Sequence, residues 1–304
     1  MTLSQLEVLI ALDESGSFSR AAMRLGTSQS AVSHALRALE SHYGIRLATR
    51  DASHVTMTDA GCKLLLRARE MTALAATLAQ ELSDAKNLKT GTLRIGSFGP
   101  TSTVNLLPPL LRIFKERYPG VQIRIDEDSD EVIDSWLLQK RVEIGFAVLP
   151  DERFDTLPLV QDSFVAILPS THPLAQQTSL PLDAFNGLDF VLTEAGCGPV
   201  ILPMFHKNNV RPQVLYRFTQ IISILQFVQQ GLAVSIAARL ALPEPPVGVV
   251  YRPLLPAQPR TVGLVCLSAE KLSPLAKAFW SLAQSIVKTP TKPLQNWVVS
   301  QFET

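Results

Sequence analysis

The chain has 304 residues, a length that suits two or three domains rather than one. Its hydrophobic content of 46% with 18% charged residues is ordinary for a folded globular protein and argues against disorder. The 28 Lys and Arg side chains nearly balance the 27 Asp and Glu side chains, so composition gives no sign of the strongly basic surface of many nucleic-acid-binding proteins.

The first residues do not read as an export signal, because Met1–Glu14 already has helical periodicity and carries acidic residues. No apolar run is long enough to span a membrane: Ile221–Leu242 is interrupted by three Gln and an Arg. We therefore expect a cytoplasmic protein with no membrane partner. The three cysteines (Cys62, Cys197 and Cys266) are too widely spaced for a zinc site or a disulfide framework, so we expect no metal and no cofactor.

The first part of the chain predicts a helix-turn-helix. A helix that opens at Thr2 and ends near Gly16 precedes two more, Phe18–Leu25 and one from Gln29 to about Tyr43. Gly26 suits the end of the second helix because glycine enters the left-handed region without a steric penalty. Ser28 then suits the N-cap of the third helix, since its hydroxyl can accept from a free backbone N–H.

The third helix is amphipathic. At about 100° per residue, Val32, Leu36 and Leu39 share one face with Ala35, which favours packing on a core. The opposite face carries hydrogen-bonding groups of a size suited to base edges, namely Gln29, Ser30, Ser33, His34 and Arg37. That is the design of a recognition helix. By itself, however, the pattern favours the plainer interpretation, a corner of two helices with a solvated polar face.

Residues Ile45–Met57 alternate loosely and predict a short β-hairpin wing, with Arg50 and His54 near its tip and placed for phosphate contact. A long helix follows from Thr58 to about Leu88. Its apolar residues step by three and four, and they are Leu64, Ala68, Met71, Ala75, Leu78, Leu82 and Ala85. This spacing is typical of a coiled-coil seam and predicts dimerisation; the alternative is a helix packed on its own domain.

From Thr92 the pattern changes to strands that alternate with helices. The first five predicted elements are strand Thr92–Ser97, helix Thr103–Tyr118, strand Val121–Glu127, helix Asp130–Arg141 and strand Glu143–Leu149. Such a βαβαβ run predicts a parallel sheet. A second unit of this kind begins at strand Ser163–Leu168. We expect two α/β subdomains joined by crossing strands near Val160–Val165 and Pro259–Val265.

Small polar residues follow three strands of these subdomains, where ligands of open parallel sheets bind. Each group opens a predicted helix, so its backbone N–H groups could bind a carboxylate or another oxyanion. The candidate ligand-binding residues are Ser97, Gly99, Thr101, Ser102, Thr193, Glu194 and Gln220. Ordinary turn and capping chemistry is the alternative for each group taken singly.

Several of these motifs together resemble the signature of LysR-type transcriptional regulators. The matching residues are Ala21, Ala22, Leu25, Ser28–Ser33, Leu36, Leu39, Glu40, Leu47–Arg50 and Thr58–Gly61. The resemblance implies a multidomain protein: an N-terminal, mainly α winged helix-turn-helix with a long linker helix, then an α/β effector domain of the type 2 periplasmic-binding-protein fold with two subdomains. It also implies promoter DNA and a small-molecule effector as partners, a homodimer or homotetramer, and RNA polymerase as a further candidate partner.

On this basis we expect a DNA-binding domain over residues 1–58, a dimerisation helix over 59–90 and an effector domain over 91–304. The first subdomain of the effector domain would contain residues of about 91–162 and 266–290, and the second subdomain residues of about 163–265. The expected DNA-binding residues are Arg20, Gln29, Ser30, Ser33, His34, Arg37 and Arg50.

Glu194 departs from the family pattern, because a negative charge beside the pocket weakens the expectation of an anionic effector and leaves a neutral or cationic one open. Three other functions are alternatives. Cys197 at a helix N-terminus would suit a redox-sensing regulator. A solute-binding protein would need an export signal, and an enzyme is not expected because the five histidines show no triad or metal spacing.

Overall fold

The computed structural model describes residues 1–50, 54–85, 91–194 and 198–288, which divide into two compact units. The first unit is built mainly from residues 1–91 and the second mainly from the chain after Thr92. The first contains helices α1 (Leu3–Ser15), α2 (Phe18–Leu25) and α3 (Gln29–Tyr43), the hairpin β1 (Ala48–Arg50) and β2 (Val55–Met57), and helix α4 (Asp59–Ala85).

Local sequence sets the ends of the first three helices as predicted. The hydroxyl of Thr2 accepts from Gln5 N while the Gln5 side chain accepts from Thr2 N, which is a complete capping box. Ser28 Oγ accepts from Ala31 N at 3.2 Å and caps α3. Gly26 ends α2 in the left-handed region at φ 63°, and its N–H donates to carbonyls in the last turn of α2.

The wing is fixed by one side chain from α3 and one from its own end. The Glu40 carboxylate accepts from the backbone N of Leu47 at 2.7 Å, which ties the start of the hairpin to α3. Thr58 Oγ1 donates to Arg46 O at 2.8 Å and accepts from Gly61 N at 3.0 Å, so the same hydroxyl closes the hairpin and caps α4.

The second unit alternates strands with helices, as the sequence predicts. In chain order its elements are β3 (Gly91–Ser97), α5 (Leu107–Arg117), β4 (Val121–Glu127), α6 (Asp130–Leu138), β5 (Ile144–Leu149), β6 (Asp155–Pro169), β7 (Leu180–Pro181), β8 (Asp189–Thr193), α7 (Gly198–Lys207), β9 (Gln213–Phe218), α8 (Ile221–Gln229), β10 (Ser235–Ala238), β11 (Val249–Leu255), β12 (Pro259–Cys266) and α9 (Pro274–Lys288). A π-helical turn, Thr101–Leu106, leads directly into α5.

The main sheet is mixed, which corrects the expectation of a parallel one. Its strand order is β4-β3-β5-β12-β6-β11-β7, and β10 also pairs with β6. Within it β3 and β5 are parallel, whereas β12 runs antiparallel to both β5 and β6. Strands β8 and β9 pair in parallel in a separate two-stranded sheet. Strand β6 begins at Asp155, eight residues before the predicted start at Ser163, because it extends along β12 through both subdomains.

Separate apolar cores define the two subdomains. The core of the first subdomain contains Phe114, Phe146 and Phe279. Because Phe279 belongs to α9, the last described helix packs on the first subdomain. The second subdomain packs around Phe185, Phe190 and the residues beside them. These two cores, on either side of β6 and β12, confirm the α/β fold with two subdomains.

No described helix is long and apolar enough to cross a membrane.

Candidate DNA interface and effector cavity

Helix α3 presents the predicted polar face to solvent. Gln29, Ser30, His34 and Arg37 are exposed and Ser33 is half-buried. The opposite face is in the core, where Val32 is fully buried. Arg20, on the neighbouring helix α2, is also exposed. The helix-turn-helix therefore brings these predicted residues together on α2 and α3, with hydrogen-bonding groups of the kind that read base edges and phosphates.

One polar residue beside this face was not predicted from the sequence. Ser19 Oγ of α2 donates to Gln29 Oε1 of α3 at 3.2 Å. Because this bond holds the amide oxygen, it leaves the amide N–H₂ free to donate outward. The signal in the sequence was weak: Ser19 lies ten residues before Gln29, and only the turn between the two helices brings them together.

The wing is described only at its base. Arg50 ends β1, but its side chain lies outside the described part of the chain, as do residues 51–53 of the predicted tip. His54 is exposed and its ring lies against Gly16: a β-carbon at Gly16 would stand 2.3 Å from His54 Cε1. His54 therefore helps to seat the wing on the end of α1, where Val55 N also donates to Gly16 O at 3.0 Å.

The N-terminal part of helix α4 packs against the core of the first unit, and its later part exposes apolar side chains. Leu65 is buried in the core of the first unit, with Leu64 packed beside it. Beyond them an apolar stripe is exposed: Met71 is 45% exposed, Leu74 71% and Leu78 57%. The predicted seam is therefore divided, because its first residues pack within the domain. The side chains of Leu82 and Ala85 lie outside the described ones.

A cavity of about 410 Å³ lies between the two α/β subdomains. The first subdomain contributes Phe98–Thr101 and Glu127–Asp130, and strand β12 contributes Arg260. From the second subdomain come Thr193, Glu194, Thr219, Gln220, Ile221, Ala237 and Ala241. This volume lies within the range of about 300–1,000 Å³ that is usual for small-molecule pockets.

Five of the seven predicted effector-binding residues line this cavity, namely Gly99, Thr101, Thr193, Glu194 and Gln220. Ser97 and Ser102 do not, although the sequence placed them in the site. Their hydroxyls are fully buried and bond to each other at 2.8 Å, and Ser102 Oγ also bonds to the backbone of Phe98. Both side chains therefore hold the turn after β3 in shape from behind the cavity wall.

A buried ion pair beside the cavity was not predicted from the sequence. Arg260 and Asp162 lie opposite each other where β12 and β6 cross, and Arg260 Nε donates to Asp162 Oδ2 at 2.8 Å. The same guanidinium donates to Thr101 Oγ1 at 2.7 Å, while Asp162 Oδ1 accepts from the backbone N of Leu240. Opposite charges on the two predicted crossing strands were the available signal, but only the register shows that they pair.

Asp130, at the start of α6, was also missed. Burial raises its pKa to about 6; the nearby charge of Arg260 lowers it, while Glu131 and Asp134 raise it further. Its Oδ1 atom is buried without a hydrogen-bond partner. Glu127 and Asp128 precede it, so three acidic residues in four positions line the wall of the first subdomain.

The cysteines give no built redox site in the described part of the chain. Cys266 is fully buried and burial raises its pKa to about 12, which disfavours the reactive thiolate form. Cys62 is exposed on α4, and Cys197 lies outside the described residues. No group of three or more His, Cys, Asp and Glu side chains among the described residues could hold a metal ion.

Two family models and several known relatives match most of the chain. The model for the bacterial regulatory helix-turn-helix protein of the lysR family matches residues 3–62, and the LysR substrate binding domain matches residues 86–287. A probable HTH-type transcriptional regulator LrrA of Synechococcus elongatus is 35% identical over 92% of this chain and 95% of its own. A probable hydrogen peroxide-inducible genes activator of Mycobacterium avium is 32% identical over 80% of this chain and 79% of its own.

Solved structures agree on the fold. A full-length OxyR variant from Pseudomonas aeruginosa superposes with a TM-score of 0.71 at 23% identity, covering 95% of this chain and 96% of that one. CbnR, a LysR family transcriptional regulator, gives 0.65 at 19% identity, covering 94% and 99%. With both family models matched along the chain and a relative at 35% identity, this protein belongs to the LysR family of bacterial transcriptional regulators.

Proposed function

We propose that this regulator reads promoter DNA through the exposed face of α3 and takes its effector in the cavity between the two α/β subdomains. Gln29, Ser30, Ser33 and His34 contact base edges, and Arg37 contacts a base or a phosphate. Arg20 and Arg50 bind the phosphate backbone. The exposed polar face of α3, set on a buried apolar face, is the observation that carries this assignment.

The reading unit is a dimer joined through α4. Met71, Leu74 and Leu78 form an apolar stripe at helical spacing, and such a stripe is stabilised by burial against a second copy. Dimerisation also compensates for the low net positive charge of the DNA-binding part, since residues 1–90 carry only ten Lys and Arg side chains against nine Asp and Glu. Two copies double the number of phosphate contacts and read two half-sites. Pairing of dimers into a tetramer, and contact with RNA polymerase, belong to the same proposal.

The proposed domains are residues 1–58 for DNA binding, 59–90 for dimerisation and 91–304 for effector binding, with subdomains of about 91–162 with 266–290, and about 163–265. Effector binding changes the arrangement of these two subdomains, and the oligomer then spaces or bends its DNA sites differently. Thermodynamic linkage requires the reverse effect, so operator DNA changes effector affinity by the same factor.

Single substitutions on α3 test the DNA interface. We expect Gln29→Ala to lower affinity for a selected operator by about 1–3 kcal/mol and to relax specificity at one base position. Ser41→Ala is the matched control, because Ser41 is exposed near the C-terminal end of the same helix and away from its reading end. Titration of labelled operator at fixed salt measures both. Equal affinities for Gln29→Ala and the unaltered protein would contradict the assignment.

A further inference from the structure

The cavity between the subdomains has an unbalanced charge. Its lining includes four carboxylates, those of Glu127, Asp128, Asp130 and Glu194, and one cation, Arg260. Three of the carboxylates belong to the first subdomain and Glu194 belongs to the second. Negative groups therefore lie on both walls of the cleft.

Arg260 offsets these charges only in part, because its guanidinium is paired with another carboxylate: it lowers the pKa of Asp130, but its closest ionic partner is Asp162. Its side chain is only 6% exposed and pairs with Asp162, which is 1% exposed. A further donor hydrogen is used on Thr101 Oγ1 at 2.7 Å. An anionic ligand would have to compete with a buried carboxylate for this guanidinium. The cation that could have bound a carboxylate in this cavity is thus committed to joining β6 and β12.

Among the described residues, three carboxylates of the lining have only a weak or local partner or an unpaired oxygen. Glu194 has a 3.8 Å contact with Arg217, and both side chains are about half exposed, so this pair is weak. Asp128 Oδ1 accepts from the backbone N of Ser129, and Asp130 Oδ1 is buried without a hydrogen-bond partner. A buried acceptor left unpaired is costly, and a donor from a bound ligand removes that cost.

The positions of the four carboxylates indicate which kind of cation the cavity would bind. They do not converge on a point, since the described residues contain no group of three that could hold a metal ion. Phe98 and Ile221 add apolar surface to the lining. Separate carboxylates on two walls with apolar surface between them fit an extended organic cation, whose alkyl part contacts the apolar residues and whose N–H groups reach the carboxylates.

We propose that the effector is a small aliphatic diamine or polyamine that binds with protonated amino groups on both walls of the cleft. This rests on the cavity being the effector site, as proposed above. In the absence of ligand, like charges on the two walls oppose closure of the cleft. A diamine that spans them replaces repulsion by two charge-assisted contacts, so closure follows from binding.

Calorimetric titration of the full chain with three probes of one carbon skeleton tests the charge class. The probes are 1,4-diaminobutane, 1,4-butanediol and succinate, with spermidine as a longer amine. We expect the diamine and spermidine to bind, and the diol and the dicarboxylate not to bind at the same millimolar concentration. No binding of either amine, or binding of succinate in their place, would overturn the inference.

Variants locate the site. Asp128→Asn with Glu194→Gln should weaken diamine binding about ten-fold or more, which corresponds to about 1.4 kcal/mol. Glu127→Lys should weaken it further, because it places a cation in the cavity lining. Glu152→Gln is the matched control: Glu152 is exposed and absent from the lining, and its removal should leave binding unchanged. Equal weakening by Glu152→Gln, or none in the cavity variants, would refute the assigned site.

These experiments distinguish a failure of the diamine inference from a failure of the proposed function. Succinate binding that is lost in Thr101→Val would keep the cavity as the effector site and overturn only the cationic class. Diamine binding that the cavity variants do not alter would remove the inference as well as the site. In either case operator binding is measured separately, with Gln29→Ala as its own test.

Discussion

Removal of Asp162 is expected to destabilise the effector domain strongly. In Asp162→Ala the guanidinium of Arg260, 6% exposed, stays buried without its carboxylate partner at 2.8 Å. The backbone N–H of Leu240 also loses its acceptor at 3.1 Å. Breaking a buried pair by removing one partner costs about 3–5 kcal/mol. That is a large share of a domain stability of about 5–15 kcal/mol.

Urea unfolding followed by tryptophan fluorescence measures this effect in the full chain. All three tryptophans lie after residue 135, so the signal reports the C-terminal part and not the DNA-binding part. The double variant Asp162→Ala with Arg260→Met is the control. It removes both charges together, and such replacement is often close to neutral. A loss below about 1 kcal/mol in the single variant, or a double variant no more stable than the single, would refute the reasoning.

Three further predictions concern the wing, the dimer and pH. Gly61→Ala should lower the melting temperature and operator affinity, because its β-carbon would stand 2.0 Å from the carbonyl oxygen of Leu47. Lys63→Ala, at an exposed position of the same helix, is the control for the melting temperature, and an unchanged melting temperature in Gly61→Ala would contradict the argument. Met71→Asp with Leu78→Asp should give monomers in sedimentation and abolish specific DNA binding, whereas undiminished dimerisation would remove the role of the stripe. In the folded state the pKa of Asp130 is raised to about 6, whereas in the unfolded chain it is about 4. Between these two values the Asp130 carboxyl is ionised in the unfolded chain but still protonated in the folded protein. The free energy of unfolding therefore falls as the pH rises from about 4 to 6, by at most about 3 kcal/mol. Asp130→Asn should remove this slope from urea unfolding at several pH values, and an unchanged slope would count against the raised pKa.

Much of the fold follows from local rules in the sequence. The cap at Ser28, the turn at Gly26 and the periodicity of α3 depend on neighbours within a few residues, so they can be predicted from the sequence. The path of β6 could not be, because its first eight residues become a strand only by pairing with β12 about a hundred residues later. Helix α6 was predicted to Arg141 and ends at Leu138, since Lys140 adopts φ 55°.

The site divides in the same way. Strand ends rich in small polar residues marked the cavity, and Thr101, Thr193 and Gln220 line it. Residue type alone did not show that the Ser97 and Ser102 hydroxyls bond to each other, which removes them from the lining. Nor did it show that Arg260 is paired. The charge of a pocket depends on which ionic groups are already partnered, and that is a property of the register between distant strands.

Helix α3 is proposed as the reading element of a dimer, and selection of bound sequences from random DNA by the full-length protein tests this most directly. We expect enrichment of a dyad whose half-sites are separated by one helical turn, about 10 bp, or a multiple of it. Gln29→Ala with His34→Ala should select a motif that is relaxed at the half-site positions these residues read. An identical motif from that variant, or no enriched dyad from the unaltered protein, would contradict this role of α3.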